Sequence, residues 1–277
     1  MRLLQCGSFA VDLSRPRIMA IVNVTPDSFS GDGHHHDIAA AVRSAEEAIA
    51  AGADFIDLGG ESSRPGAESV SEQEELDRVI PVVERLAGCG VPVSVDTVKP
   101  VVMRESIAAG ASMINDINAF RAEGALEAVR GSTAALCVMH MQGAPRVMQA
   151  DPHYKDVVVE VREFLARRVA DLLATGVSPS QITIDPGFGF GKTVGHNLAL
   201  MRALPQFAAD GWPVLIGVSR KSMIGAITGR PPGARLVGSV AAALLAVERG
   251  AHIVRVHDVA ATRDALVVWE AIRGDVG

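Results

Sequence analysis

One pattern constrains this chain more than any other. A short apolar run is followed by a longer, Ala-rich amphipathic stretch, and the alternation reaches eight rounds. The apolar runs fall at 18–23, 55–58, 92–96, 113–117, 134–140, 182–185, 213–218 and 253–257. Each is apolar along its length, as strands are when a parallel sheet buries both their faces. Helical periodicity fills the gaps, most clearly at 37–51, 71–87, 155–174 and 234–249, with a last helix at 260–273. Gly52, Gly88, Gly110, Gly176 and Gly250 each follow such a stretch, where a left-handed residue ends a helix. "AGA" at 51–53 and 109–111 and "RGA" at 249–251 form a weak internal repeat of the helix-to-strand joint. Alternating units of this kind build either a closed barrel or an open, doubly wound sheet. No GxGxxG follows the first strand, and the count reaches eight with no domain break. A (β/α)8 barrel needs about 250 residues as one unit. The expectation is α/β: a (β/α)8 TIM barrel, one domain over residues 1–277, with a short N-terminal β-hairpin at 3–13.

Composition removes several function classes. The net charge is −6, which argues against a broad nucleic-acid or anionic-membrane surface. Aromatic residues make up 4 %, too few for a base-stacking platform. The cysteines are Cys6, Cys89 and Cys137, with no CxxC. An odd count without that spacing disfavours a disulfide framework or a zinc ribbon and fits a reducing compartment. The longest unbroken apolar run, 240–247, is far shorter than the ~18 residues of a membrane helix. No signal-peptide pattern opens the sequence. The expectation is a soluble, cytoplasmic protein with no nucleic-acid or membrane partner.

Barrel active sites lie at the C-terminal ends of the strands, and here those ends are polar. The first ends in Asn23, followed by Thr25, Asp27 and Ser28. The second holds Asp57 and then residues 59–66. The third ends in Asp96 and Thr97, and the fourth in Asn115 and Asp116. The fifth ends Met139-His140-Met141. The sixth leads from Asp185 into residues 186–192, and the seventh into Ser219-Arg220-Lys221-Ser222. The eighth holds Arg255, His257 and Asp258. Chain exit from a core accounts for one or two of these. It does not account for Asn23, Asp96, Asn115, Asp185, Lys221 and Arg255 in or just beyond apolar runs, where an unpaired charge is costly. Two look-alikes are set aside. "GFGFGKT" at 187–193 has Pro186 where a phosphate loop needs its first glycine. His34, His35 and His36 are consecutive, so no strand or helix aims all three at one metal; a solvated loop is expected there.

The ordered set of strand ends closely resembles the dihydropteroate synthase family, from about residue 18 to 273. The motifs are "NVTPDSF" (23–29), "ESSRPGA" (61–67), "VDT" (95–97), "IND" (114–116), "DPGFGFGK" (185–192), "SRKS" (219–222) and "RVHD" (255–258). Ser63 stands where the family usually has Thr, which keeps the hydroxyl. "SGDGHHH" is longer than the family's usual first loop. The resemblance implies condensation of 6-hydroxymethyl-7,8-dihydropterin diphosphate with p-aminobenzoate to give 7,8-dihydropteroate and pyrophosphate. It assigns catalytic roles to Asp96, Asp185 and Lys221. Asp185, Asn115 and Asp96 meet the pterin, with Met139 and Gly217 lining its pocket. Lys221 reaches the pterin carbonyl and the rim of the acceptor site. Arg255, His257, Ser63 and Arg64 serve the leaving pyrophosphate, and Asn23 holds Mg²⁺. Pro65 and Phe190 flank the p-aminobenzoate ring, and Ser222 takes its carboxylate. Phe190, flanked by glycines, is expected to have no core to join. His140, His153 and His196 are expected to be structural or solvated. A homodimer through the last helices is also implied. Two alternatives differ in class: a pterin-binding methyltransferase domain acting on methyltetrahydrofolate, and an inactive pterin-binding paralogue. A methyltransferase has no use for a pyrophosphate site or for "SRKS", so Arg64, Lys221, Arg255 and His257 together favour the synthase, and a paralogue would have lost site residues that are all present here.

Overall fold

Eight short parallel strands form the frame. The computed structural model describes residues 2–24, 34–62, 69–143 and 147–274. Two antiparallel strands come first, β1 (Leu3–Cys6) and β2 (Phe9–Asp12). The barrel strands follow: β3 (Arg17–Asn23), β4 (Phe55–Gly59), β5 (Val93–Asp96), β6 (Met113–Asp116), β7 (Ala135–Met139), β8 (Ile182–Asp185), β9 (Leu215–Ile216) and β10 (Ile253–Val256). Their order is β8-β7-β6-β5-β4-β3-β10-β9, with every pairing parallel. The seam between β8 and β9 is nearly closed by one bridge, Ile184 with Val214. The Thr183 hydroxyl reinforces it by donating to the Pro213 carbonyl at 2.9 Å.

Five strands are shorter than their apolar runs, and in two of them proline stands at the start. The runs at 92–96 and 213–218 both begin with proline, which has no N–H to give to a ladder. The paired residues start at Val93 and, for β9, at Leu215.

The helices wrap the outside: α1 (His34–Ala50), α2 (Glu72–Leu86), α3 (Pro100–Ala108), α4 (Ala125–Val129), α5 (Val157–Ala174), α6 (Val194–Ala209), α7 (Ser222–Thr228), α8 (Leu236–Glu248) and α9 (Val259–Arg273). The histidines at 34–36, expected in a loop, belong to the first turn of α1. The helix expected from residue 155 begins at Val157, because Asp156 caps it. The Asp156 carboxylate accepts from the Val158 and Val159 N–H groups at 2.9 and 3.1 Å. Between β9 and α8 an extra short helix, α7, is inserted.

The hairpin closes the bottom of the barrel. Leu4, Cys6 and Leu13 pack on Met19, Phe55, Met113, Ala135, Leu215 and Ile253. These lie at or near the starts of their strands, so the N-terminal mouth is sealed with apolar atoms. Polar chemistry is left to the other end.

The turn after β6 is strained and clamped. Ala119 and Phe120 are both left-handed, at φ 55° and 56°, which is costly for residues with a Cβ. The buried Asp116 carboxylate accepts from the Asn118 and Phe120 N–H groups at 2.6 Å each. Arg168 of α5 donates to the Ala119 and Phe120 carbonyls at 2.8 and 2.9 Å. Replacing Arg168 by Met removes both charged donors. We expect a loss of about 2–4 kcal/mol in urea unfolding with an unchanged slope; a variant as stable as the parent would show that the turn holds itself.

Candidate active site

The parallel register brings the polar strand ends level. Asn23 pairs with Gly59, Gly59 with Asp96, and Asp96 with Asn115; on the far side Met139 pairs with Asp185. The site residues come from distant parts of the sequence, yet they share one rim.

At its floor lies an ion pair with two acids. Arg255 donates from Nε to Asp57 Oδ2 at 2.6 Å and from Nη2 to Asp96 Oδ2 at 2.9 Å. Asp57 also accepts from Asn115 Nδ2 at 3.3 Å. Asp57 is fully buried. Its Oδ1 and the Asn115 Oδ1 have no hydrogen-bond partner among the described residues. The sequence marked Asp57 as a strand end but gave it no role. Its signal was a carboxylate at the centre of the wholly buried run Phe55–Gly59.

The floor's electrostatics follow from burial. Desolvation pushes the Asp96 carboxyl up to about 7, with Arg255 opposing and Asp57 adding to the rise. Burial also raises Asp185, against Lys221 and the Gly187 N–H, which donates to Asp185 Oδ1 at 2.7 Å. Arg255 is pushed up: burial works against its charge, but Asp57 and Asp96 outweigh it. Burial lowers Lys221 to about 8, with Asp185 opposing.

Lys221 is aimed by a strained corner. Arg220 before it is left-handed at φ 58°. Ser239 Oγ accepts from the Arg220 N–H at 2.9 Å, and Arg235 donates to the Arg220 carbonyl at 3.0 Å. The Arg220 guanidinium is anchored to Asp258 at 2.5 and 3.0 Å. The Lys221 ammonium donates to the Phe188 carbonyl and lies 4.5 Å from the centre of the Phe190 ring. Ser222 opens α7. Gly217 keeps room beside it: a Cβ there would stand 3.8 Å from the Arg255 Cβ and 3.9 Å from Lys221 Nζ. Arg220 and Asp258 were read as strand-end residues without a function; left-handed backbone at an arginine has no local sequence signature.

Phe190 does join a core, contrary to expectation. It is half-buried and packs on a satellite cluster of Ile117, Met139, Met141 and Met148. The four lie on the loops and strand ends after β6 and β7, which no local pattern around Phe190 reveals. His257 sits over Ser219, whose Oγ is 3.0 Å from His257 Nδ1 and accepts from the His257 N–H at 3.2 Å. Asn23 ends β3, with Oδ1 3.6 Å from where a Cβ on Gly59 would lie. Ser63, Arg64 and Pro65 lie outside the described residues. The root of their loop is tied down: Gly60 accepts from Arg78 at 2.7 Å, and Lys99 bridges Glu61 and the buried Glu75. No group of three His, Cys, Asp or Glu is arranged to hold a metal among the described residues.

Comparison with known proteins places this geometry. Residues 19–257 match the family described as "Pterin binding enzyme". A dihydropteroate synthase of Neisseria meningitidis serogroup C is 53 % identical over 273 residues, 97 % of this chain and 96 % of the relative. The Xanthomonas albilineans dihydropteroate synthase solved with 4-aminobenzoic acid is 51 % identical, with TM-score 0.92 and 98 % of each chain covered. The Burkholderia cenocepacia enzyme complexed with 7,8-dihydropteroate is 54 % identical, with TM-score 0.91, covering 99 % of this chain and 97 % of that one.

The depressed Lys221 can be tested directly. Only a neutral amine is acylated, so its labelling rate should rise with a midpoint near pH 8 rather than the ordinary 10.5. Peptide mass spectrometry after brief acetic anhydride pulses reads this; a midpoint at the ordinary value would mean that the ammonium is solvated.

Proposed function

The chain belongs to the dihydropteroate synthase family of pterin-binding enzymes, and on that premise we propose that it joins p-aminobenzoate to 6-hydroxymethyl-7,8-dihydropterin diphosphate, yielding 7,8-dihydropteroate and pyrophosphate. The observation that carries this reading is the set of buried Asp57, Asn115 and Asp185 and half-buried Asp96 beside two cations, Lys221 and Arg255, at one rim.

A pterin edge is a planar array of N–H donors and a carbonyl acceptor. Asp185 suits the paired N–H groups, since charge-assisted parallel bonds are the strong ones. The Asn115 Oδ1, buried and unpartnered among the described residues, supports a further bond to the ring. Lys221 serves the pterin carbonyl from the other side, and Met139 and Gly217 line the pocket between them. In the reaction the bond from the pterin methylene carbon to oxygen breaks, and its pair leaves with pyrophosphate. The amine nitrogen supplies the pair for the new C–N bond, and its proton passes to solvent or to the pyrophosphate. Positive charge grows on the pterin methylene as the first bond breaks. Asp96 and Asp185, already fixed in place, stabilise that charge without reorganising.

Arg255 commits two of its five N–H donors to Asp57 and Asp96, which leaves three for the diphosphate. His257, Ser63 and Arg64 complete that anion set. Mg²⁺ belongs to the same reading. Asn23 offers a hard oxygen beside Gly59, which has no side chain to stand in its way; an ion with few protein ligands and several phosphate and water oxygens would suit that donor. When bound, Mg²⁺ supplies positive charge to the departing pyrophosphate. The acceptor ring lies between Phe190 and Pro65, with its carboxylate at Ser222.

A homodimer is part of the proposal. Exposed Leu236, Val237 and Leu245 on α8 and Val267, Val268 and Ile272 on α9 support it, since apolar surface shared by neighbouring helices favours burial against a second copy. A cytoplasmic place is supported by the free thiols of Cys6, Cys89 and Cys137. No helix among the described residues is long and apolar enough to cross a membrane.

The test is pyrophosphate release from purified protein, Mg²⁺ and the pterin diphosphate, with and without p-aminobenzoate. Release that depends on p-aminobenzoate is expected; none, from folded protein, overturns the reading. In the same preparation Asp185→Asn should weaken pterin binding at least about a hundredfold, because two bonds to a charged group are each worth about 1.5–3 kcal/mol. Calorimetry with a pterin lacking phosphates measures it, and parental affinity would remove Asp185 from the ring edge.

A further inference from the structure

We propose that Lys192 is a positioning residue for the acceptor substrate: its buried side chain holds the 187–192 loop in the shape that presents Phe190. The proposal rests on the assignment of Phe190 to the p-aminobenzoate ring.

The loop has little regular structure of its own. It carries Gly187, Gly189 and Gly191, all left-handed, so backbone preference alone does not give it one shape. It is nonetheless pressed hard onto the end of β7. A Cβ on Gly187 would lie 1.8 Å from the His140 carbonyl oxygen, and one on Gly191 would lie 2.4 Å from that of Gln142. Something must hold the backbone there.

Lys192 reaches back into its own loop and is 3 % exposed. Its Nζ is 2.8 Å from the Gly187 carbonyl oxygen, 3.0 Å from that of Phe190 and 3.3 Å from that of His140. The fourth neighbour is His140 Nδ1 at 2.9 Å. Burial, followed by the Lys192 charge, pushes His140 down to about 2, so the ring is neutral and does not repel the lysine. Burial pulls the Lys192 amine down to about 7, with Asp185 opposing, and the protons on its Nζ, three when it is charged, face four polar atoms on three residues. The lysine therefore does not reach a phosphate, although the motif around it resembles a phosphate loop. It turns the Gly187 and Phe190 carbonyls inward. This keeps the Phe190 ring on the mouth side, below the Lys221 ammonium, and the Gly187 N–H on Asp185.

The outer side of the loop is gripped as well. Tyr154 donates to the Gly191 carbonyl at 2.8 Å, Asn197 Oδ1 accepts from the Gly189 N–H at 2.8 Å, and Gln149 donates to the Gly189 carbonyl. Asp185 lies in β8 and is held by the ladder with β7. Phe190 is at the loop tip and is not. Loss of Lys192 must therefore damage acceptor binding far more than pterin binding.

The experiment compares Lys192→Met, Tyr154→Phe and Phe190→Ala with the parent by steady-state kinetics in both substrates. Tyr154 is the chain's single tyrosine, so 3-fluorotyrosine labelling gives one ¹⁹F signal from the loop's outer wall. Lys192→Met should raise the p-aminobenzoate KM about tenfold or more and leave that of the pterin diphosphate within about threefold. Its ¹⁹F line should broaden or split. Tyr154→Phe should raise the same KM by a smaller factor, and it decides the matter if Lys192→Met does not fold: an unchanged KM then overturns the proposal. An unchanged or equally shifted pair of KM values in folded Lys192→Met, beside a raised acceptor KM in Phe190→Ala, overturns it while leaving the site assignment intact. An unchanged acceptor KM in Phe190→Ala overturns the assignment and the proposal together.

Discussion

Asp57 and Asp96 share one guanidinium, that of Arg255, at 2.6 and 2.9 Å. This contact joins β4, β5 and β10, three strands of the ring, at the floor of its open end. Asn115 on β6 joins it through Asp57. Removing one partner of a buried ion pair costs about 3–5 kcal/mol, because the other charge is left uncompensated. The barrel end therefore tolerates two close carboxylates only while the arginine is there. Even so, the balance is incomplete, and Asp96 is pushed up to about 7, chiefly by burial.

The rest of the molecule protects this arrangement. Below, the hairpin seals the strand starts with aliphatic and sulfur side chains, so water reaches the site from one side. Above, four of the connections at the strand ends are held by charged side chains among the described residues. Lys99 ties the root of the β4 loop through Glu61 and Glu75. Arg168 clamps the turn after β6, Lys192 fills the β8 loop, and the Arg220–Asp258 pair sets the corner before Lys221. The polar groups of the rim are thus steadied by a second set of polar residues behind them.

Much of this was legible before any coordinates. The eight apolar runs are eight strands, because full burial on both faces leaves a continuous apolar signature. Asn23, Asp96, Asn115, Asp185, Lys221 and Arg255 stood out because polar groups in such runs need a reason, and all six lie at the C-terminal rim of the barrel. The misses have physical causes too. Pro92 and Pro213 shorten strands whose apolar runs include them. His34 to His36 read as loop because identical neighbours have no periodicity, yet α1 begins there. Phe190 read as coreless because its cluster is assembled from Ile117, Met139, Met141 and Met148, residues on other units.

The sequence by itself determined the architecture, the end of the barrel that does chemistry, and the residue types available there. Periodicity and burial are local properties of a chain, and side-chain type is written in it. Only the tertiary structure decided the partnerships. Asp57 meets Arg255 across 198 positions, and Lys192 meets His140 across 52. Strand order and register bring such pairs together in a ring. Pairing energies, desolvation and the resulting proton affinities depend on distances of a few ångströms that no local stretch of sequence encodes.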